Sequence, residues 1–303
     1  MKNYLTNKTF LEKSRGEWFA YFLIVPALLV VLIINVYPLL NSIFLSFRFY
    51  NLTMPLATRW VGLLNHFRIF SMTFFQDSFY VTLLFSFFSV FCLFLLGIYF
   101  ALLLNRQIWG IGILRGLLMI PWAVPTFVNA FLWLWMIDVQ FGIINFGLRS
   151  LYIIDQFKNW LGDPYLAMLA VLLAYVWRVF PFNVVVYLAQ LQSIDHSYYE
   201  AAEMDGAGWL KSFIKITLPM LKNTIVVTGL LNLIWAFQEF TTIWIITRGG
   251  PVNATNVLSV FIYRYAFESY DFGMASTAGV WWMAFLLIFS IISFKKLVKE
   301  DVY

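Results

Sequence analysis

Six long apolar runs, separated by shorter polar segments, make up most of the chain. They cover residues 19–40, 79–104, 116–137, 166–190, 220–246 and 274–294. About 20 apolar residues suffice for a helix to cross a bilayer, and each run is long enough. Backbone amides in hydrocarbon find no water, so each run is predicted as an α-helix that closes its own hydrogen bonds. The pattern therefore predicts an all-α, polytopic membrane protein with six transmembrane helices. Prolines mark expected irregularities. Pro26 and Pro38 sit near the ends of the first span, Pro121 and Pro125 are expected to kink the first turns of the third, and Arg178 with Pro181 to interrupt the fourth. The polar stretches at 48–77, 138–163 and 247–273 read as loops. This divides the chain into 1–77 (N-terminus, first helix and loop), a five-helix core at 78–296 with a charged loop at 192–219, and a tail at 297–303.

Composition agrees with that reading. Of 303 residues 62% are hydrophobic and only 12% charged, about half the charged fraction of ordinary globular chains. The net charge of +5 is not a nucleic-acid signal, because the basic residues fall in small groups between apolar runs. With the N-terminus inside, the inner segments hold about 12 Lys and Arg and the outer ones about 7, which favours cytoplasmic termini. The first run is too long for a signal-peptide core and lacks a small-x-small cleavage site, so it is read as a span. A single cysteine, Cys92, lies in an apolar run and excludes a disulfide framework. His66 and His196 are far apart, without metal-ligand spacing, and both are read as solvated loop histidines. No phosphate-binding G-x-x-x-x-G-K-[ST] loop, G-x-S-x-G elbow or H-E-x-x-H pair occurs. The chain is therefore expected to be no enzyme and to hold no metal or cofactor of its own.

The most informative polar stretch is LQSIDHSYYEAAEMDGAGWLKSFIKITLP, residues 191–219. Asp195, Glu200, Glu203 and Asp205 alternate with Lys211 and Lys215, so it cannot lie in hydrocarbon. Two short helices are predicted. Ser197 is read as the N-cap of the first, with Glu200 completing an S-x-x-E capping box. Gly206 and Gly208 break the chain, and Trp209, Phe213 and Ile216 give the second helix one apolar side. Pro219 is expected where the next span starts. Charged and apolar at once, this loop reads as a docking surface for another protein.

Polar residues also recur within the spans at helical spacing. In the third, Trp122, Thr126, Asn129 and Trp133 share a face; in the fifth, Thr228, Asn232, Trp235, Glu239 and Thr242 do the same. Asn183, Tyr187 and Gln190 share a face of the fourth, Arg178 lies near its middle, and Ser276, Thr277 and Trp281 open the sixth. An Arg at a helix centre costs about 2.5–3.5 kcal/mol on insertion scales, so Arg178 is expected to face protein or a water-filled cavity. Two readings stay open for these stripes. They line a path for a polar solute, or they bond helix to helix. The path candidates are Asn129, Trp133, Arg178, Asn183, Tyr187, Asn232, Trp235 and Glu239, with Glu239 near the outer end as either a gate or a buried site.

Glu200-Ala201-Ala202, then Gly206, Ile216 and Leu218-Pro219, reproduce the EAA-loop signature of ABC importer permeases. Nearly end to end, the chain resembles the permeases of binding-protein-dependent sugar importers, the maltose and glycerol-3-phosphate group. That branch is suggested by Tyr37-Pro38-Leu39-Leu40, by Ala101 to Arg106, by Trp177-Arg178 with Pro181-Phe182, and by Thr247 to Pro251 followed by Ala254-Thr255. Where the branch often carries Asp after Phe-x-x-Phe, this chain has Thr241. The resemblance implies a bacterial inner-membrane importer subunit with both termini and the EAA loop cytoplasmic. Its implied partners are a second permease, identical or not, an ABC ATPase dimer holding ATP and Mg, and an extracytoplasmic solute-binding protein. Glu200, Ala201, Ala202, Asp205, Gly206 and Ala207 would couple to the ATPase. The implied cargo is a sugar or oligosaccharide; another polar solute (glycerol phosphate, polyamine or phosphate) is the alternative, ahead of a stand-alone secondary transporter.

Overall fold

A computed structural model describes residues 21–106 and 109–300, apart from the side chains at 294 and 296–300. The basic segment 1–18, Gln107 and tail residues 301–303 lie outside the described residues. Helix α1 spans Tyr21–Ser46. A two-residue hairpin follows, β1 (Arg48–Phe49) antiparallel to β2 (Arg59–Trp60), with Arg48 opposite Trp60. Then come α2 (Leu64–Phe70) and the long α3 (Thr73–Leu104). Next are α4 (Ile111–Ala123), α5 (Thr126–Met136), α6 (Ile143–Ser150) and α7 (Pro164–Gln192). The EAA region forms α8 (Ser197–Met204) and leads into α9 (Trp209–Phe237). The chain ends with α10 (Thr241–Ile246), α11 (Leu258–Tyr263) and α12 (Phe272–Glu300). Five helices, α1, α3, α7, α9 and α12, are each long and apolar enough to span; the bent pair α4–α5 makes a sixth when taken as one span.

The prolines act differently from the expectation. Ahead of Pro125, Val124 is extended (φ −72°, ψ 128°), because the proline ring clashes with a helical predecessor. The expected kink is thus a 95° break between α4 and α5, and Trp122 does not continue the stripe of Thr126, Asn129 and Trp133. Pro219 does not open the fifth span either, since the helix already begins at Trp209. A wide π turn, Phe213–Thr217, precedes Pro219, and another, Leu32–Val36, precedes Pro38. Proline clashes with the carbonyl four residues back; widening the turn moves that carbonyl aside and keeps the helix continuous. Pro181 likewise lies inside an unbroken α7, whose start is fixed by Asp163: its Oδ1 accepts from Tyr165 N and Leu166 N, each at 2.9 Å.

The fifth span also ends earlier than expected. Helix α9 stops at Phe237, and residues 238–240 form a break before α10. Segment 247–273 is more than a polar loop. Thr255 and Asn256 are buried, Thr255 Oγ1 donates to Gly250 O at 2.8 Å, and Asn256 Nδ2 donates to Ser78 Oγ of α3 at 2.7 Å. Thr277 of α12 donates to Ser46 O at 3.2 Å and so ties α12 to α1. His66 is a further correction, being buried on α2 with Phe47 4.8 Å and Trp281 6.2 Å away, ring to ring. Its loop position hid that, because only the return of α12 brings Trp281 to it. His196, by contrast, is exposed as expected.

Helix α7 is the centre of the bundle. Ala167, Ala170, Ala174 and Tyr175 are fully buried against α3, α5 and α10. Gly97 of α3 lets the two helices close up, since a Cβ there would stand 2.8 Å from Asn183 Cβ and from the Tyr187 ring.

Candidate functional site

Four polar contacts join α7 to the fifth-span chain in antiparallel order. Thr224 Oγ1 donates to Gln190 Oε1 at 3.2 Å, Thr228 Oγ1 to Tyr187 OH at 3.0 Å, and Asn232 Nδ2 to Asn183 Oδ1 at 2.6 Å. Arg178 Nη2 lies 3.4 Å from Glu239 Oε2. The first three rungs are about one turn apart on each helix, so one face of each makes the seam, and the fourth takes Glu239 from just beyond the end of α9. The two stripes read from the sequence therefore meet each other. Tyr187, Asn183, Asn232 and Thr228 are buried in that contact, and side-chain bonds between membrane helices contribute about 0.6–2 kcal/mol each.

At the far end of the seam the polar groups are not all satisfied. Glu239 is 7% exposed and lies in the break between α9 and α10. Its Oε1 accepts from Thr242 N at 2.8 Å, capping α10, while Oε2 faces Arg178. Serine 259 donates to the Glu239 carbonyl at 2.7 Å. The Arg178 guanidinium carbon stands 5.9 Å from the centre of the Tyr175 ring. Asn129 Nδ2 donates to Ala174 O at 3.2 Å, and Trp133 meets the edge of Trp177 at 6.4 Å. Yet Asn129 Oδ1, Tyr175 OH, Arg178 Nε and Thr242 Oγ1 are buried with no partner among the described residues. Such groups cost free energy unless something bonds them.

Beside this cluster runs an aromatic row across three helices. Trp122 of α4 stacks on Phe182 at 6.4 Å, and Phe182 meets Trp235 of α9 at 5.0 Å. Trp122 is 47% and Trp235 37% exposed, unlike the buried rungs. Tyr175 and Phe182 belong to the site but escaped the polar-stripe reading, whereas Thr242 was part of the fifth-span stripe. Tyr175 lies one turn before Arg178 on the same face, which is the signal that could have found it.

The EAA loop is exposed at the other end of α7. Helix α8 begins one step earlier than the capping box required. His196 stands at the N-cap without a side-chain cap bond; just ahead of it Asp195 Oδ1 accepts from Ser197 N at 2.9 Å, and Glu200 turns to His196 Nδ1 at 3.2 Å. That backbone N–H holds the Asp195 carboxyl below its usual pKa. The helix stops at Gly206 (φ +73°), where Ala207 N donates to Ala202 O at 2.8 Å and Gly206 N to Glu203 O at 2.9 Å. These are the two bonds of a Schellman stop, so the spacing from Ala202 to Gly206 is a helix terminator. Around it Met204 is 89%, Trp209 72% and Leu210 60% exposed. A side-chain bond ties α8 to α9, Tyr199 OH to Thr217 Oγ1 at 3.0 Å.

Among the described residues no group of three or more His, Cys, Asp or Glu side chains could hold a metal. A family model described as "Binding-protein-dependent transport system inner membrane component" matches residues 93–299. The trehalose/maltose transport system permease protein MalF of Thermococcus litoralis is 37% identical, over 97% of this chain and 98% of its own length. The sn-glycerol-3-phosphate transport system permease protein UgpA of Pectobacterium atrosepticum is 32% identical, over 95% and 97%. A crystal structure of a bacterial ABC transporter that imports the acidic polysaccharide alginate contains a chain of the same fold. Its TM-score is 0.81 at 22% identity, covering 96% of this chain and 98% of that one.

Proposed function

This chain belongs to the binding-protein-dependent transport system inner membrane components and is a membrane-spanning permease subunit of an ABC importer; from that premise we propose that its cargo is a neutral sugar or oligosaccharide. The observation that carries the cargo class is the Arg178–Glu239 pair. It leaves the polar end of the seam without net charge, where a phosphate would call for unpaired cations and a polyamine for unpaired acids. The partnerless Asn129, Tyr175, Arg178 and Thr242 atoms offer hydrogen bonds to hydroxyls. The partly exposed Trp122 and Trp235, with Phe182 packed between them, offer ring faces to the C–H surfaces of a sugar. Relatives named for trehalose/maltose and for glycerol phosphate transport keep both cargo classes in view, and the charge balance favours the first.

In this reading both termini and the EAA loop are cytoplasmic. Glu200, Ala201, Ala202, Asp205, Gly206 and Ala207 dock on an ABC ATPase dimer that holds ATP and Mg. A second permease, identical or not, completes the path, and an extracytoplasmic binding protein delivers solute. The test is transport of a solute panel by the reconstituted assembly. Trp235→Ala is expected to lower the rate or change which sugar is carried, with basal ATP hydrolysis intact. Asn232→Ala, which strands Asn183, is expected to lower assembly yield first. Transport of glycerol phosphate with no transport of neutral sugars would replace the cargo assignment.

A further inference from the structure

A polar cavity lies away from the seam, where α3 and α7 end beside the EAA loop. Its volume is 820 Å³, and its polar lining is Asn105, Arg106, Arg115, Gln192, His196 and Tyr199. Arg115 Nη2 donates to Leu104 O at 2.8 Å, the last turn of α3, while its Nε is buried without a partner. Among the described residues neither Arg106 nor Arg115 forms a salt bridge; the nearby carboxylate of Glu200 is engaged with His196. Two guanidinium groups thus share a roomy cavity with no counter-charge on the wall.

The surroundings select the anion. Helix α4 continues from the cavity with Ile113 67%, Leu114 49% and Leu117 56% exposed, and Trp109, two residues before α4, is 99% exposed. An exposed apolar strip with a Trp at the level where helices leave the membrane is the mark of a lipid-facing interface. A free phosphate has no use for that strip, whereas a lipid phosphate carries acyl chains to cover it. Basic pockets between membrane helices on the cytoplasmic side hold anionic head groups in this way. We propose that this cavity binds the phosphate of an anionic membrane lipid between Arg106 and Arg115, with the acyl chains along the exposed face of α4. The site lies against His196 and Tyr199, at the first helix of the EAA loop, and stands whatever the transported solute is.

The complete transporter assembly, placed in phosphatidylcholine nanodiscs containing a minor share of phosphatidylglycerol, tests this by native mass spectrometry of retained lipid. Phosphatidylglycerol is expected to be retained over phosphatidylcholine. Arg106→Gln, at an exposed position with no salt bridge among the described residues, is expected to lower its retention about fivefold. Arg115→Gln removes the contact with α3 as well, so Arg106→Gln with an unchanged elution profile is the deciding variant. Equal retention by wild type and Arg106→Gln overturns the proposal. Displacement of the lipid by excess inorganic phosphate overturns it in favour of a free-anion site. Retention seen only after the ATPase is stripped away overturns it in favour of an acidic ATPase residue in the cavity.

Discussion

Arg178 and Glu239 show how a charge is tolerated inside the bundle. Each neutralises the other, and Glu239 gains a second bond by capping α10. Removing one partner leaves the other buried and uncompensated, which costs about 3–5 kcal/mol. Arg178→Met alone is therefore expected to lower the melting temperature of the detergent-solubilised subunit strongly. The double replacement Arg178→Met/Glu239→Met is expected to recover most of it, while transport stays impaired in both. A double variant as unstable as the single one would show that the pair is not what holds this end of the seam. His66 is a second buried titratable group, outside the spans. Burial against Phe47 and Trp281 lowers its pKa from 6.5. Its contribution to stability is then fully present above about pH 6.5 and is lost as pH falls through the lowered folded value, because the unfolded chain binds the proton more readily. A melting-temperature series against pH should show that drop in the wild type and not in His66→Leu.

Among elements, α8 carries the clearest mechanical logic. It is exposed, stopped by a left-handed Gly206, and linked by side chain to α9 through Tyr199 and Thr217. Force on α8 has a direct route into the base of α9, which bears the Asn232 and Trp235 positions. Gly206→Val places a β-branched residue where φ is +73°, a strain of order 1–3 kcal/mol, and should weaken ATPase attachment while the subunit still inserts. Tyr199→Phe deletes one hydroxyl and should leave ATPase attachment and basal hydrolysis unchanged but lower transport per ATP. Normal transport stoichiometry in Tyr199→Phe would remove this bond from the coupling route. The two π turns that precede prolines work at the same scale. Each precedes an Xaa-Pro step, so proline here widens a continuous helix, whereas at Pro125 it ends one.

At the scale of the whole molecule, the loops fall at two ends of the bundle. The EAA loop and the Arg106–Arg115 cavity share one end, and the hairpin shares the other with the segment after α10, through a bridge between Asn51 and Asp271. The Lys/Arg bias predicts that the EAA end is cytoplasmic. On a Cys92→Ala background, a cysteine at Lys211 should resist an impermeant thiol reagent in intact cells, and one at Asn253 should react. The reverse labelling pattern would invert the topology.

The apolar runs by themselves determined an all-α membrane protein with six candidate spans, because a continuous apolar run in hydrocarbon pairs its polar backbone N–H and C=O groups within itself as a helix. The EAA loop was also legible, since Ala202 and Gly206 form a local helix stop that needs no distant contact. Boundaries at prolines were not legible. Whether Pro125 breaks a helix while Pro38, Pro181 and Pro219 are absorbed depends on neighbours that can hold a widened turn or a 95° bend. Nor was the meeting of the polar stripes. Each was visible on its own helix, but only the packing of α7 against α9 made Asn183 the partner of Asn232 and Arg178 that of Glu239. Glu239 came into reach only where α9 stops at Phe237 and the chain turns aside into α10. Sequence spacing fixes which residues share a face, and tertiary structure decides what that face meets.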